Sequence, residues 1–305
     1  MIELEVLKIA KEIKDIKIQG ASNIEIASIE CIKNYISKNK LIGEEFITEL
    51  TENINHLITQ RPNEPKLRNS LNFILITANN HKFEENRNKL IEEIKSYEEK
   101  TKEGNRKVCE IASNIIVNGG KYLTHCHSTM VEYMFKMAHD RGLDFEVYCT
   151  ETRPRYQGRI TAKNLADYGI KTISIVDSSV THYLKEIDYF FTGADVVFPD
   201  GSIMNKVGTN LISSVCPRYS TPHIVLTTTH CCEINSLLML TEKVEERDEN
   251  EVWTKEDGKP ENIIIKNPAF DIVPHELIDK FITEEGVFSP ESLYLWVNRH
   301  TLGNK

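Results

Sequence analysis

Residues 189–209 read YFFTGADVVFPDGSIMNKVGT. The run Tyr189-Phe190-Phe191-Thr192 has the length and aromatic content of a buried strand, and Gly193 lets the chain turn where the run ends. A carboxylate, Asp195, follows at once. Ten residues further on stand Asn205 and Lys206, and then Gly208-Thr209 at the start of a helix. Ligands of open α/β sheets bind outside the carboxyl ends of the strands. An acid, an amide, a cation and a helix start on one such rim suit a phosphorylated, proton-exchanging substrate. The alternative is a turn-capping Asp beside a solvated Lys.

The surroundings of this stretch predict the architecture. Short apolar runs recur at 121–126, 145–151, 171–177, 188–198 and 223–229, with helical patterns over 129–141, 158–168, 180–185 and 206–219. Strands alternating with helices predict a parallel sheet covered on both faces, with right-handed crossovers. No GxGxxG follows the first strand, so a dinucleotide is not the expected ligand. The C-terminal stretch from Ile263 adds short strands and a terminal helix. Residues 1–116 read as helical, with apolar Ile2, Leu4, Leu7, Ile9 and Ile13 set among charges and further helices over 24–36, 43–60 and 65–79. A charged helix over 83–107 is interrupted at Gly104, and Asn118-Gly119-Gly120 closes the helical half. The expected fold class is therefore α/β: an N-terminal helical domain with a linker helix (1–117), followed by a Rossmann-like parallel-sheet domain (118–305).

Composition sets the context. The 305 residues carry a formal net charge of −9, 40% hydrophobic and 27% charged residues. Without a broad basic face the chain is no general nucleic-acid binder, so a phosphorylated ligand requires cations concentrated locally. No apolar stretch approaches the ~20 residues of a membrane span, and the N-terminus lacks a signal peptide's apolar core, so a cytoplasmic address is expected. The seven cysteines are odd in number and irregularly spaced, which fits reduced thiols rather than a disulfide framework. Two clusters, His125-Cys126-His127 and His230-Cys231-Cys232-Glu233, resemble metal sites in composition. Adjacent strand residues point to opposite faces and CxxC spacing is absent, so no metal or other cofactor is expected.

The other strand ends add candidates. The first ends in Thr124-His125-Cys126-His127 and enters a helix with Ser128 or Thr129 as N-cap. A thiol at such a junction lies near the positive end of a helix dipole, which favours the thiolate, whereas a free cysteine is also a common small core residue. The second ends in Glu151-Thr152-Arg153-Pro154-Arg155-Tyr156-Gln157-Gly158, where two arginines form a phosphate clamp or a solvated pair. The third ends in Asp177-Ser178-Ser179, first of all an N-cap signal.

The segments 150–158 (TETRPRYQG), 193–195 (GAD), 205–209 (NKVGT) and 267–271 (NPAFD) resemble the archaeal ribose-1,5-bisphosphate isomerases. Their wider family includes the methylthioribose-1-phosphate isomerases and the regulatory alpha, beta and delta subunits of the translation-initiation exchange factor. The resemblance spans most of the C-terminal half. In the N-terminal half it rests on Gly20-Ala21 and Arg61-Pro62, where the family has phosphate-contacting Gly-Ala and Arg-Pro pairs. It implies Cys126 and Asp195 as the catalytic pair, with substrate held by Gly20, Ala21, Arg61, Arg153, Arg155, Gln157, Asn205 and Lys206. It also implies conversion of ribose 1,5-bisphosphate to ribulose 1,5-bisphosphate in nucleoside and AMP degradation, and a homo-oligomer, hexamer ahead of dimer.

Such a reaction moves a proton from carbon 2 and delivers one to carbon 1, which needs two poised proton-transfer groups and no redox cofactor. The sequence departs from the isomerases in three places. Gln19 stands where they usually have arginine, His127 where asparagine is common, and His230-Cys231-Cys232-Glu233-Ile234 where an aromatic-Lys-Phe segment is typical. The rival readings are a methylthioribose-1-phosphate isomerase and a non-catalytic regulatory subunit. The TETRPR segment speaks against the first, and Asp195 together with Cys126 against the second.

Overall fold

The computed structural model describes residues 2–18, 20–80, 87–232, 244–293 and 295–296. Gln19, Glu233 and Ile234, the first residues of the charged helix expected from Phe83, and the end of the expected terminal helix lie outside them. The chain forms two units, Met1–Glu103 and Gly104–Lys305.

The first unit holds α1 (Leu4–Lys14), α2 (Ala21–Lys38), α3 (Gly43–Ile58), α4 (Pro65–Asn80) and the start of α5 (Arg87–Ser113). Helix α1 begins where the Glu3 carboxylate accepts the Glu5 N–H at 2.7 Å, and it ends with Lys11 and Lys14 in its last turn, so both ends complement the helix dipole. Val6 and Ile13 pack with Ile32, Ile36, Leu50, Ile54, Leu71 and Ile74 into one apolar core. Helix α5 continues through Gly104 rather than breaking there. A glycine costs a helix interior only about 1 kcal/mol, which burial of Val108 and Ala112 one and two turns later offsets.

The second unit alternates strands and helices. In chain order these are β1 (Lys121–Thr124), α6 (Thr129–Asp140), β2 (Glu146–Thr150), α7 (Gln157–Asp167), β3 (Lys171–Ile175), α8 (Val180–Tyr183), β4 (Tyr189–Thr192), β5 (Val196–Val197), β6 (Ile203–Lys206), α9 (Thr209–Val215), β7 (His223–Leu226), β8 (Phe270–Val273), β9 (Lys280–Thr283) and β10 (Gly286–Phe288). Seven strands form one sheet in the order β10-β9-β7-β4-β1-β2-β3, parallel except for the β9–β10 hairpin. Consecutive strand residues serve opposite faces: Tyr122, Val147 and Phe191 join one core, and Leu123, Tyr148 and Phe190 another. Both faces are therefore buried, as the continuous apolar runs predict. No described helix is long and apolar enough to cross a membrane.

Two sequence expectations change here. The run 188–198 is not one strand: it breaks at Gly193-Ala194-Asp195, and β5 leaves for a separate antiparallel sheet of order β5-β6-β8. Lys206, expected in a helix, ends strand β6 and pairs with Phe270 of β8. A partner strand about 65 residues away supplies the ladder bonds that make 203–206 extended, which a local pattern does not reveal.

The strand order fixes where a ligand can bind. From β1 the chain steps outward to β2 and β3, then returns to place β4 on the other side of β1 and continues outward through β7 and β9. The order reverses between β1 and β4, which are in register through Leu123 with Phe190 and Thr124 with Phe191. The carboxyl ends of these two strands border the crevice of a doubly wound sheet.

Candidate active site

Cys126 lies just beyond β1, two residues before Ser128, the N-cap of α6. Its φ of +69° puts a non-glycine residue in the left-handed region, at a cost of about 1–2 kcal/mol. Hydrogen bonds hold it there: its N–H donates to Thr152 Oγ1 at 2.9 Å, and its carbonyl accepts from Thr161 Oγ1 at 3.1 Å. It is half-buried, whereas the other six cysteines are buried.

Asp195 stands beyond β4, half-buried, with its backbone N–H donating to Met204 of β6 at 3.0 Å. The two strand exits are drawn together at Gly193. A Cβ there would lie 2.9 Å from Ser128 Oγ and 3.2 Å from Ser128 Cβ. The glycine thus serves close approach rather than the turn expected of it. Lys206, half-buried, has its ammonium 4.7 Å from the centre of the Phe270 ring. Asn205 is buried and donates to Thr209 Oγ1 at 3.2 Å. Asp271 closes the loop behind them, its carboxylate accepting the N–H groups of Gly208 at 2.7 Å and Asn210 at 3.1 Å.

Electrostatics tie these elements together. Burial pushes the Cys126 thiol up to about 11; the Lys206 ammonium and the His127 N–H pull it down, while Asp195 and Asp177 push it further up. The expected lowering of the thiol is not met: desolvation outweighs the Lys206 ammonium and the His127 N–H, and the resting thiol is neutral at pH 7.

The arginines are held differently. Asp177 accepts the backbone N–H groups of Thr152 and Arg153, both at 2.8 Å, and so shapes the loop between β2 and α7. Arg153 donates to the Tyr156 hydroxyl at 2.6 Å and to the Val252 carbonyl at 3.0 Å. Arg155 forms an ion pair with Glu251 at 2.7 Å. Asn267 anchors that acidic segment by donating to the Asp248 carbonyl at 2.9 Å. Gln157 is the first residue of α7.

The structure therefore brings Cys126, Asp195 and Lys206 to one rim, and it ties Arg153 and Arg155 to residues 251–252. Gly20, Ala21 and Arg61 belong to the first unit. There Gly20 (φ +85°) precedes α2, Ala21 begins it, and Arg61 is buried. Sequence reasoning did not foresee Glu251, whose contact with Arg155 spans 96 residues and leaves no local signal.

Fold and rim together define a doubly wound α/β protein with a thiol, a carboxylate and a lysine at its switch point. The chain belongs to the Initiation factor 2 subunit family, which matches residues 17–290. It is 35% identical over 303 residues to the ribose 1,5-bisphosphate isomerase of Methanocaldococcus jannaschii, covering 98% of this chain and 97% of that protein. Identity to the ribose 1,5-bisphosphate isomerase of Pyrococcus furiosus is 36% over 298 residues, covering 95% and 92%. Among solved structures, the Pyrococcus horikoshii OT3 translation initiation factor eIF-2B superposes with a TM-score of 0.81 at 24% identity, covering 95% of this chain and 98% of that one. That last likeness shows the fold alone.

Proposed function

We propose that this protein is an aldose–ketose isomerase that converts ribose 1,5-bisphosphate to ribulose 1,5-bisphosphate. The convergence of Cys126, Asp195 and Lys206 at the switch point carries the reading. The near full-length likeness to proteins named for that activity supports it.

In this reading the Cys126 thiolate removes the proton from carbon 2, and a proton returns to carbon 1. Asp195 exchanges protons with the sugar oxygens. The reaction is internally balanced in hydrogen and electrons, so it needs acid–base groups alone. Lys206 stabilises both the thiolate and the enediolate charge. Because burial holds the thiol up near 11, only a small fraction is in the base form at pH 7. Asn205, Gln157, Arg153 and Arg155 hold phosphate, the two arginines after releasing Val252 and Glu251. Gly20, Ala21 and Arg61 are further phosphate contacts by family resemblance. The protein is a cytoplasmic homo-oligomer in this proposal, hexamer ahead of dimer, which light scattering tests.

The deciding experiment incubates pure protein with ribose 1,5-bisphosphate and measures ribulose 1,5-bisphosphate. Formation of the ketose is expected. No turnover with this sugar, together with turnover of methylthioribose 1-phosphate, would overturn the assignment.

A further inference from the structure

His125 precedes the thiol and is sealed from solvent, at 2% exposure. Its ring bridges two parts of the rim. Nδ1 lies 2.7 Å from Thr150 Oγ1 at the end of β2, and Nε2 lies 2.8 Å from the carbonyl of Val207, the residue after Lys206. Burial lowers the imidazole's pKa, so the ring is neutral at pH 7 and carries one proton. A carbonyl only accepts, so that proton is on Nε2, and Nδ1 accepts from the Thr150 hydroxyl.

The rest of the chain of bonds then has one direction. Thr150 has spent its proton on the ring, so the Thr152 hydroxyl, 3.4 Å away, donates to Thr150 in the longest and weakest link of the chain. Thr152 Oγ1 in turn accepts the N–H of Cys126. A continuous relay thus runs from the Cys126 peptide through Thr152, Thr150 and His125 to the Val207 carbonyl. The ring's place is enforced by Gly208 (φ +103°), where a Cβ would lie 2.8 Å from His125 Cε1.

We infer that His125 is a positioning residue that sets two things at once: the backbone placement of the Cys126 thiol through Nδ1, and that of the Lys206 loop through Nε2. The inference rests on the isomerase reading for what the thiol and lysine do. The coupling itself is a property of the fold and is measurable without turnover.

The two nitrogens can be separated. The substitution His125→Asn offers an amide oxygen near the Nδ1 position and keeps the bond from Thr150. The longer side chain introduced by His125→Gln offers an N–H near the Nε2 position and keeps the bond to Val207. Two readouts are taken on each variant: the rate at which a small aromatic disulfide reagent modifies Cys126, and kcat and KM for ribose 1,5-bisphosphate.

For His125→Asn, which releases the Lys206 loop, the thiol rate should fall about three- to tenfold while KM rises about tenfold. For His125→Gln the thiol rate should change at least about fivefold and kcat fall about tenfold, with KM preserved. Gly208→Ala, which drives the ring aside, should shift both readouts. The positioning role is refuted if both His125 variants leave thiol rate, kcat and KM at wild-type values. It is equally refuted if the two variants lose all three in parallel with thermal stability, as a purely structural histidine would. If the chain turns over no sugar phosphate at all, the isomerase reading fails, and the thiol rates of the two variants still decide the coupling.

Discussion

The Cys126 thiol offers the sharpest test of the electrostatics. It is half-buried while the other six cysteines are buried, so a disulfide reagent applied to the native protein reports on it selectively. A shift from the ordinary 9.0 to about 11 lowers the thiolate fraction at pH 7.5 by about a hundredfold relative to an unperturbed thiol. A more basic thiolate is intrinsically more nucleophilic, with a Brønsted slope of about 0.45, which returns a factor of about eight. The net expectation is reaction about tenfold slower than that of a solvent-exposed cysteine. The rate should rise about tenfold per pH unit from pH 7 to 9, with no plateau below about pH 10.

Neighbouring charges add signed controls. Lys206→Met removes the ion that lowers the thiol's pKa and should slow the reaction, whereas Asp195→Asn removes one that raises it and should speed it. Each change should be about three- to tenfold, a partial share of a nearby-charge effect. A plateau between pH 7 and 8 would mean that the helix entry and Lys206 outweigh desolvation. A lysine variant that reacts faster would refute the charge assignment altogether.

Other expectations follow from the same geometry. Cys126→Ser should lower kcat by at least about a thousandfold with an unchanged melting temperature, since a hydroxyl is far less acidic than a thiol; activity within tenfold of wild type would remove Cys126 from the chemistry. Ribose 1,5-bisphosphate should bind at least about a hundredfold (~2.7 kcal/mol) more tightly than ribose 5-phosphate by calorimetry, and Arg153→Ala should erode the difference. Glu251→Gln removes the counter-ion of Arg155 and should lower KM for the bisphosphate about threefold, whereas a raised KM would show that Glu251 orders the arginine loop for binding. Burial lifts the thiols of Cys109, Cys149 and Cys216 to about 12. Between pH 9 and 12 the unfolded chain sheds protons that the folded chain keeps, so stability is intact below pH 9 and falls as pH rises, by about 1.4 kcal/mol per unit for each such thiol. Urea midpoints at pH 8, 9 and 10 check this, and a midpoint that rises with pH would contradict it.

Much was legible in the sequence because it is encoded between near neighbours. The change from helical to strand period at Lys121, the Ser128 cap and the acid placed directly after Tyr189–Thr192 are all local, and they predicted the helices, the parallel strands and the rim candidates. The tertiary structure alone decided the remainder. The β1–β4 adjacency follows from how crossovers pack, and it puts residues 126 and 195 on one crevice. Residues 203–206 become a strand only because β8 arrives from residues 270–273. Arg153 and Arg155 meet partners almost 100 residues away, at Val252 and Glu251. The thiol's ionisation reversed for a like reason. The helix entry that favours the thiolate is visible in sequence, whereas the desolvation that outweighs it comes from atoms contributed by distant segments, and it exists only once the chain has closed around the site.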